Sequence, residues 1–296
     1  MLEILNYSFI TNALISALFI GPLLGIIGTL VVSKKMAFYS EAIGHAAMTG
    51  IAIGIILGEN YSTPYFSTFG YSILFGILII YTKTKTDIAS DTLIGIFLAV
   101  SISIGASLLT YTAGTINPHI IENILFGSIL TIEKVDIYIL ITITVLVFII
   151  LYPCYNKFLL ISINPSIALA RKINIKFYEY LFIILLSITT IGAIKIVGSI
   201  LGEALLLIPT ASAKNISHSM RAFIGYSILF STLSCILGII LPAYLTLSIP
   251  SGAAVILSST IIFIISIIIK KFNFNVLYKG GILWKKLFYF ISLSVL

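Results

Sequence analysis

The stretch FITNALISALFIGPLLGIIGTLVVS, residues 9–33, runs for 25 residues without a charged side chain. The hydrocarbon core of a bilayer is about 30 Å thick and takes about 20 apolar helical residues to cross. Eight more apolar stretches follow, at roughly 37–57, 65–81, 91–112, 135–154, 178–194, 197–212, 223–243 and 250–269. Soluble helical cores do not place such segments back to back. The 296-residue chain is 59% hydrophobic and only 9% charged, with a mean hydropathy of +1.18. These values exclude a sizeable soluble domain. The expected fold is an all-α integral membrane protein with about nine transmembrane helices, several short enough to be tilted or partly broken.

Lysine and arginine orient the spans, because cytoplasmic loops retain positive charge. Alternate loops hold Lys34 and Lys35; Lys83 and Lys85; Lys157, Arg171, Lys172 and Lys176; Lys214 and Arg221; and Lys270, Lys271, Lys279, Lys285 and Lys286. That places 15 of the 17 basic residues on one side and only Lys134 and Lys195 on the other. The expected topology is N-terminus outside and C-terminus inside, in a multi-pass protein of the cell inner (plasma) membrane. Glu3, Glu59, Glu122, Glu133 and Asp136 fall on the outer side. They read either as a negative mouth that concentrates cations or as ordinary loop solvation. The net charge of +7 follows from topology and anionic inner-leaflet lipid, with no nucleic-acid partner required.

No repeat or low-complexity linker divides the chain, so residues 1–270 read as one membrane domain. Residues 271–296 read as a cytoplasmic or interfacial tail centred on Trp284, Lys285 and Lys286. NPHIIENILFGSIL, residues 117–130, is too short and polar to cross and reads as re-entrant or interfacial, while residues 155–177 read as the longest basic loop. The N-terminus lacks a basic leader and a small-residue cleavage site and reads as the approach to a permanent span. Cys154 and Cys235 have no short-range partner and read as buried small hydrophobes.

The second span carries FYSEAIGHAAMTG, residues 38–50. Ala42, Ala46, Gly50, Gly54 and Gly58, each four apart, form a small-residue ladder that lets helices approach closely in lipid. Beside it Glu41, His45 and Thr49 share a polar stripe. A carboxylate deep in a membrane costs roughly 2.5–3.5 kcal/mol, so it demands a partner or a water-filled cavity. A carboxylate beside an imidazole suits Zn²⁺, Mn²⁺ or Fe²⁺ better than an alkali ion. The spacing alone equally allows Glu41 to pair with Lys34 or Lys35, with His45 satisfied by a backbone carbonyl. A third intramembrane acid, Glu203, has no nearby base in sequence and serves either a structural hydrogen bond or a permeation path.

Met36–Gly50, MAFYSEAIGHAAMTG, and Val197–Lys214, VGSILGEALLLIPTASAK, together resemble the permease subunit of the divalent-metal ABC importers. That family carries M-x-x-x-x-D-x-x-x-H-A-x-x-x-G and V-G-x-L-L-x-x-A-L-L-I-I-P-A-A-T-A followed by a basic residue. Weaker matches are SDTLIGI at 90–96, ILFG at 124–127 and NPSIALARKINI at 164–175, so the likeness spans about residues 9–270 in order. It implies a type II ABC-importer-like permease working as a pair of identical copies. Separate cytoplasmic ATP-binding subunits and an extracytoplasmic metal-binding protein complete the assembly. It also implies that Glu41 and His45 are metal ligands in the transport path, with Glu203 as a further candidate. The stretch after Pro209, with Lys214, His218 and Arg221, matches the position where such importers dock on the ATPase, although His218 also reads as a solvated loop residue. Glu41 departs from the commoner aspartate by one methylene, and Glu203 replaces a position that is often small or polar.

The expected function is therefore import of Zn²⁺ or Mn²⁺, or Fe²⁺, as cargo, with no permanently bound cofactor. The chain has no GxxxxGK[ST] loop, so ATP hydrolysis belongs to another subunit and this one is non-catalytic. An ion-gradient-driven carrier is the alternative within transport. An intramembrane metalloenzyme would need another ligand in the membrane, and His119 and His218 fall on opposite sides outside it.

Overall fold

The computed structural model describes residues 8–59, 64–112, 132–245, 249–250 and 252–272, and all regular structure among them is helical. Ten helices follow in order: α1 (Ser8–Lys34), α2 (Ala37–Ile56), α3 (Tyr65–Lys85), α4 (Ser90–Thr112), α5 (Lys134–Ile163), α6 (Pro165–Ala170), α7 (Ile175–Val197), α8 (Ser199–Ile216), α9 (Met220–Leu245) and α10 (Gly252–Phe272). Helices lie at all nine apolar stretches. Seven are long and apolar enough to cross a membrane: α1, α3, α4, α5, α7, α9 and α10. The other two long helices, α2 and α8, are the ones that carry Glu41, His45 and Glu203. Residues 113–131, which include NPHIIENILFGSIL and His119, and the tail from 273 lie outside the described residues.

The two helices that open the chain form the centre of the bundle. α1 packs against α9, α5, α8 and α7, and α2 against α4, α3, α8 and α7. Two-thirds of the most apolar window of α1 is buried, against 28% for α4, which separates centre from periphery. Glycines make the central contacts close. A Cβ on Gly21 would stand 2.6 Å from the Thr232 Cα of α9, and one on Gly25 2.7 Å from the Ile228 Cα. Gly28 faces Leu206 and Thr210 of α8.

On α2 the small-residue ladder is real but shorter than its sequence spacing implies. Gly50 meets Thr68 and Gly54 meets Pro64 and Ser67, all on or beside α3, and Ala46 is fully buried. Gly58 is not a rung, because the helix has already ended at Ile56. Its φ of +82° lets its N–H reach the Ile55 carbonyl (3.1 Å) while the Glu59 N–H reaches the Gly54 carbonyl (2.9 Å), and nothing lies within 4 Å of its would-be Cβ. This is a Schellman closure, which satisfies carbonyls that the helix end would leave bare. Gly58 is a helix stop rather than a packing residue.

A second left-handed glycine shapes the other site-bearing helix. Gly198, with φ 91° and ψ 160°, alone joins α7 to α8 and folds the chain back so that Gly202 approaches Ala193. Only glycine adopts that conformation without strain.

Residues 155–177 are not an extended loop. α5 continues through Pro153 to Ile163, and its final turns bury Phe158, Leu159 and Ile161. Phe158 stacks edge-on against Tyr178 (5.5 Å) and Phe182 (5.9 Å) of α7. The apolar residues recur at three- to four-residue spacing, and the intervening charges occupy the outer face. Asn164 and Asn174 then cap α6 and α7, accepting from the Ile167 and Phe177 N–H groups. At the opposite end, Tyr65 donates to Asp136, Asp136 also accepts from the Glu133 N–H (2.8 Å), and Glu59 accepts from the Ser67 N–H (3.0 Å). Asp136 thus ties the start of α3 to that of α5, and Glu59 ties the end of α2 to the start of α3.

Candidate functional site

The link between α1 and α2 fixes where Glu41 can go. Lys35 adopts φ +56°, and the Met36 N–H returns to the Val31 carbonyl (3.0 Å), so only Lys35 and Met36 separate α1 from α2. Glu41 lies just past the first turn of α2, where the positive end of the helix dipole favours an anion. Glu41 and His45 are both half-buried, one turn apart on one face. The next rung, Thr49, is fully buried and donates to the Ser101 carbonyl of α4 at 3.0 Å, opposite Gly105. The stripe is therefore divided: Thr49 locks α2 to α4, and Glu41 and His45 stay available.

Glu203 comes to the same place from α8. The turn at Gly198 aims α8 back into the bundle, where it packs on both α1 and α2. Glu203, like Glu41, sits one turn in from its helix start, and it lies within Coulombic reach of Glu41, as does His45. Glu203 and His45 thus each lie near Glu41.

Two observations weigh on how these groups are used. The His45 Nδ1 and one Glu203 carboxylate oxygen are buried yet have no hydrogen-bond partner, an expensive state for polar atoms in a membrane. Lys34, a candidate partner for Glu41, lies instead over the Phe182 ring (5.3 Å from its centroid) with its favourable charge contact to Glu179, and Lys35 is exposed. Among the described residues no group of three or more His, Cys, Asp or Glu side chains is closed tightly enough to hold a metal ion.

The other sequence candidates fall at the basic helix ends. Pro209 is buried inside α8. Lys214 is exposed in the last turn of α8, and His218 and Arg221 are exposed on the three-residue turn into α9 and its first turn. Asn215 binds Ser266 (3.1 Å) and Lys270 (3.4 Å), tying this turn to α10. Sequence reasoning missed α6. This short helix is anchored by buried Ala168 and leaves Ile167 and Leu169 exposed beside Arg171 and Lys172.

Comparison with known proteins follows the same line. The manganese import system permease protein ScaB of Streptococcus gordonii is 31% identical over 264 residues, covering 89% of this chain and 92% of its own length. The high-affinity zinc uptake system membrane protein ZnuB of Haemophilus influenzae is 30% identical over 270 residues, covering 90% and 98%. A solved structure of PsaBC from Streptococcus pneumoniae in complex with Fab superposes with a TM-score of 0.77 at 28% identity, over 88% of this chain and 91% of that one. The sequence pattern of the ABC 3 transport family matches residues 6–270, and the chain belongs to that family.

Proposed function

We propose that this chain is the membrane-spanning permease subunit of an ATP-driven importer of divalent metal ions, Mn²⁺ or Zn²⁺. The observation that carries this reading is the placement of His45 and Glu203 near Glu41 inside the bundle, with His45 Nδ1 and a Glu203 oxygen unpartnered. Two carboxylates match the charge of a dication, and an imidazole nitrogen adds a donor that suits transition metals over Mg²⁺ or Ca²⁺. Without cargo the two carboxylates repel each other; with it they are neutralised. The ion replaces part of its water shell with these donors and is released as the helices rearrange. Relatives named for manganese and for zinc both match, which supports a transition-metal dication as cargo.

In this reading α2 and α8 complete nine crossings, with the N-terminus outside and the basic helix ends in the cytoplasm. Two copies pair around the path, an extracytoplasmic protein delivers metal, and the chain itself catalyses nothing. Separate ATPase subunits dock on the basic end, where Lys214, His218 and Arg221 are exposed and where α6 adds exposed Ile167, Leu169, Arg171 and Lys172. Uptake of manganese and zinc by cells carrying Glu41→Ala plus His45→Ala, at normal protein levels, tests the function. Loss to the level of cells lacking the protein is expected; wild-type uptake would sink the proposal. Deleting the companion ATPase separates this reading from an ion-gradient carrier, which would keep working.

A further inference from the structure

Five helices contribute to a cluster of lysines and aromatic rings that the metal path does not use. Lys34 closes α1 and lies 5.3 Å from the Phe182 ring centroid of α7. Lys83, in the last turn of α3, lies 5.7 Å from the Tyr39 centroid in the first turn of α2. Lys157 of α5 lies 5.5 Å from the Tyr178 centroid and is exposed at the rim. Lys34 and Lys83 are half-buried and close enough to repel, with Glu179 the carboxylate beside Lys34. For Lys34 one carboxylate, Glu179, offsets the repulsion of Lys83. Aromatic faces stabilise each cation but neutralise none of them.

We propose that this cluster binds the phosphate of an anionic phospholipid, held by Lys34 and Lys83 with exposed Lys157 nearby on Tyr178. An anion there supplies the missing countercharge in a place where partial burial strengthens every Coulombic contact. The cluster lies where α1 and α3 end and α2 and α7 begin, the depth at which headgroups lie beside spanning helices. Exposed Phe38 and Phe177 flank it as interfacial aromatics do. Basic pockets between spanning helices are established headgroup sites, and the aliphatic stems of lysine pack below while their charge reaches the phosphate. Because Tyr39 precedes Glu41 by two residues, a bound headgroup also steadies the start of α2. The inference requires only that these helices span a bilayer and is independent of which ion is carried.

The full-length chain, reconstituted in phosphatidylcholine nanodiscs containing a minor fraction of phosphatidylglycerol, provides the test, with retained lipid counted by native mass spectrometry. Wild type should retain phosphatidylglycerol selectively. Lys34→Gln plus Lys83→Gln should weaken retention about thirtyfold, from about 1 kcal/mol per lysine. The Lys34→Arg plus Lys83→Arg pair, and the exposed Lys35→Gln plus Lys85→Gln pair, should retain it. Equal retention by the glutamine pair, or loss in the arginine or exposed pairs, would overturn the proposal. Retention of inorganic phosphate in pure phosphatidylcholine without any preference for phosphatidylglycerol would overturn the lipid as occupant.

Discussion

Replacing Gly50 by alanine adds one methyl group where α2 meets α3. The new Cβ would stand 2.8 Å from the Thr68 Cα and 3.1 Å from the Ser67 carbonyl oxygen. Both neighbours are backbone, so no side-chain rotation relieves the contact. Carbon atoms pack at about 3.5–4.0 Å, so α3 must retreat by about 1 Å. Overpacking of this kind costs about 1–3 kcal/mol, and alanine returns up to about 1 kcal/mol in helix propensity. Gly95 on α4 is the matched control, because nothing lies within 4 Å of its would-be Cβ. Gly95→Ala should collect the propensity gain alone, so the two variants should differ by about 1–3 kcal/mol. Thermal unfolding in detergent, run on both variants side by side, measures that difference. Metal uptake should fall for Gly50→Ala alone, since the retreat of α3 loosens the packing of α2, which carries His45. Equal thermal stability in the two variants would refute the close α2–α3 contact.

Glu203→Gln keeps the shape of the side chain but removes its charge, so uptake should fall sharply while thermal stability stays near wild type. A structural hydrogen-bonding role would instead leave uptake intact. Gly198→Ala forces a Cβ into backbone that only glycine adopts freely, with an expected loss of about 1–3 kcal/mol in the same unfolding assay. Thr49→Val removes the bond to the Ser101 carbonyl, and about 0.5–1.5 kcal/mol should be lost without any change in metal affinity.

Glu41 and His45 were legible in the sequence because a helix carries i and i+4 on one face, and Glu203 because an acid in an apolar run must have a reason to be there. The nearness of Glu203 to Glu41 was not legible. It depends on the reversal at Gly198, which a sequence displays only as one more glycine. Gly58 misled for the opposite cause, since four-residue spacing continues past Ile56 although the helix does not. In residues 155–177 the lysines and arginine mask the recurrence of Phe158, Leu159 and Ile161, which marks a helix. Gly21, Gly25 and Gly28 of α1 form a packing face as close as that of α2, but no ionisable neighbour sets it apart in the sequence. The seven long apolar helices followed directly from hydropathy. The short α6 had only Asn164 and Pro165, a cap and a first-turn proline, to announce it.

The most direct measurement is anomalous X-ray scattering from the assembled transporter loaded with Zn²⁺. Metal density should appear between α2 and α8, with His45 Nδ1 and carboxylate oxygens of Glu41 and Glu203 at about 2.0–2.2 Å. A transport-competent complex whose metal sits elsewhere along the path, with these three side chains uninvolved, would contradict the assignment.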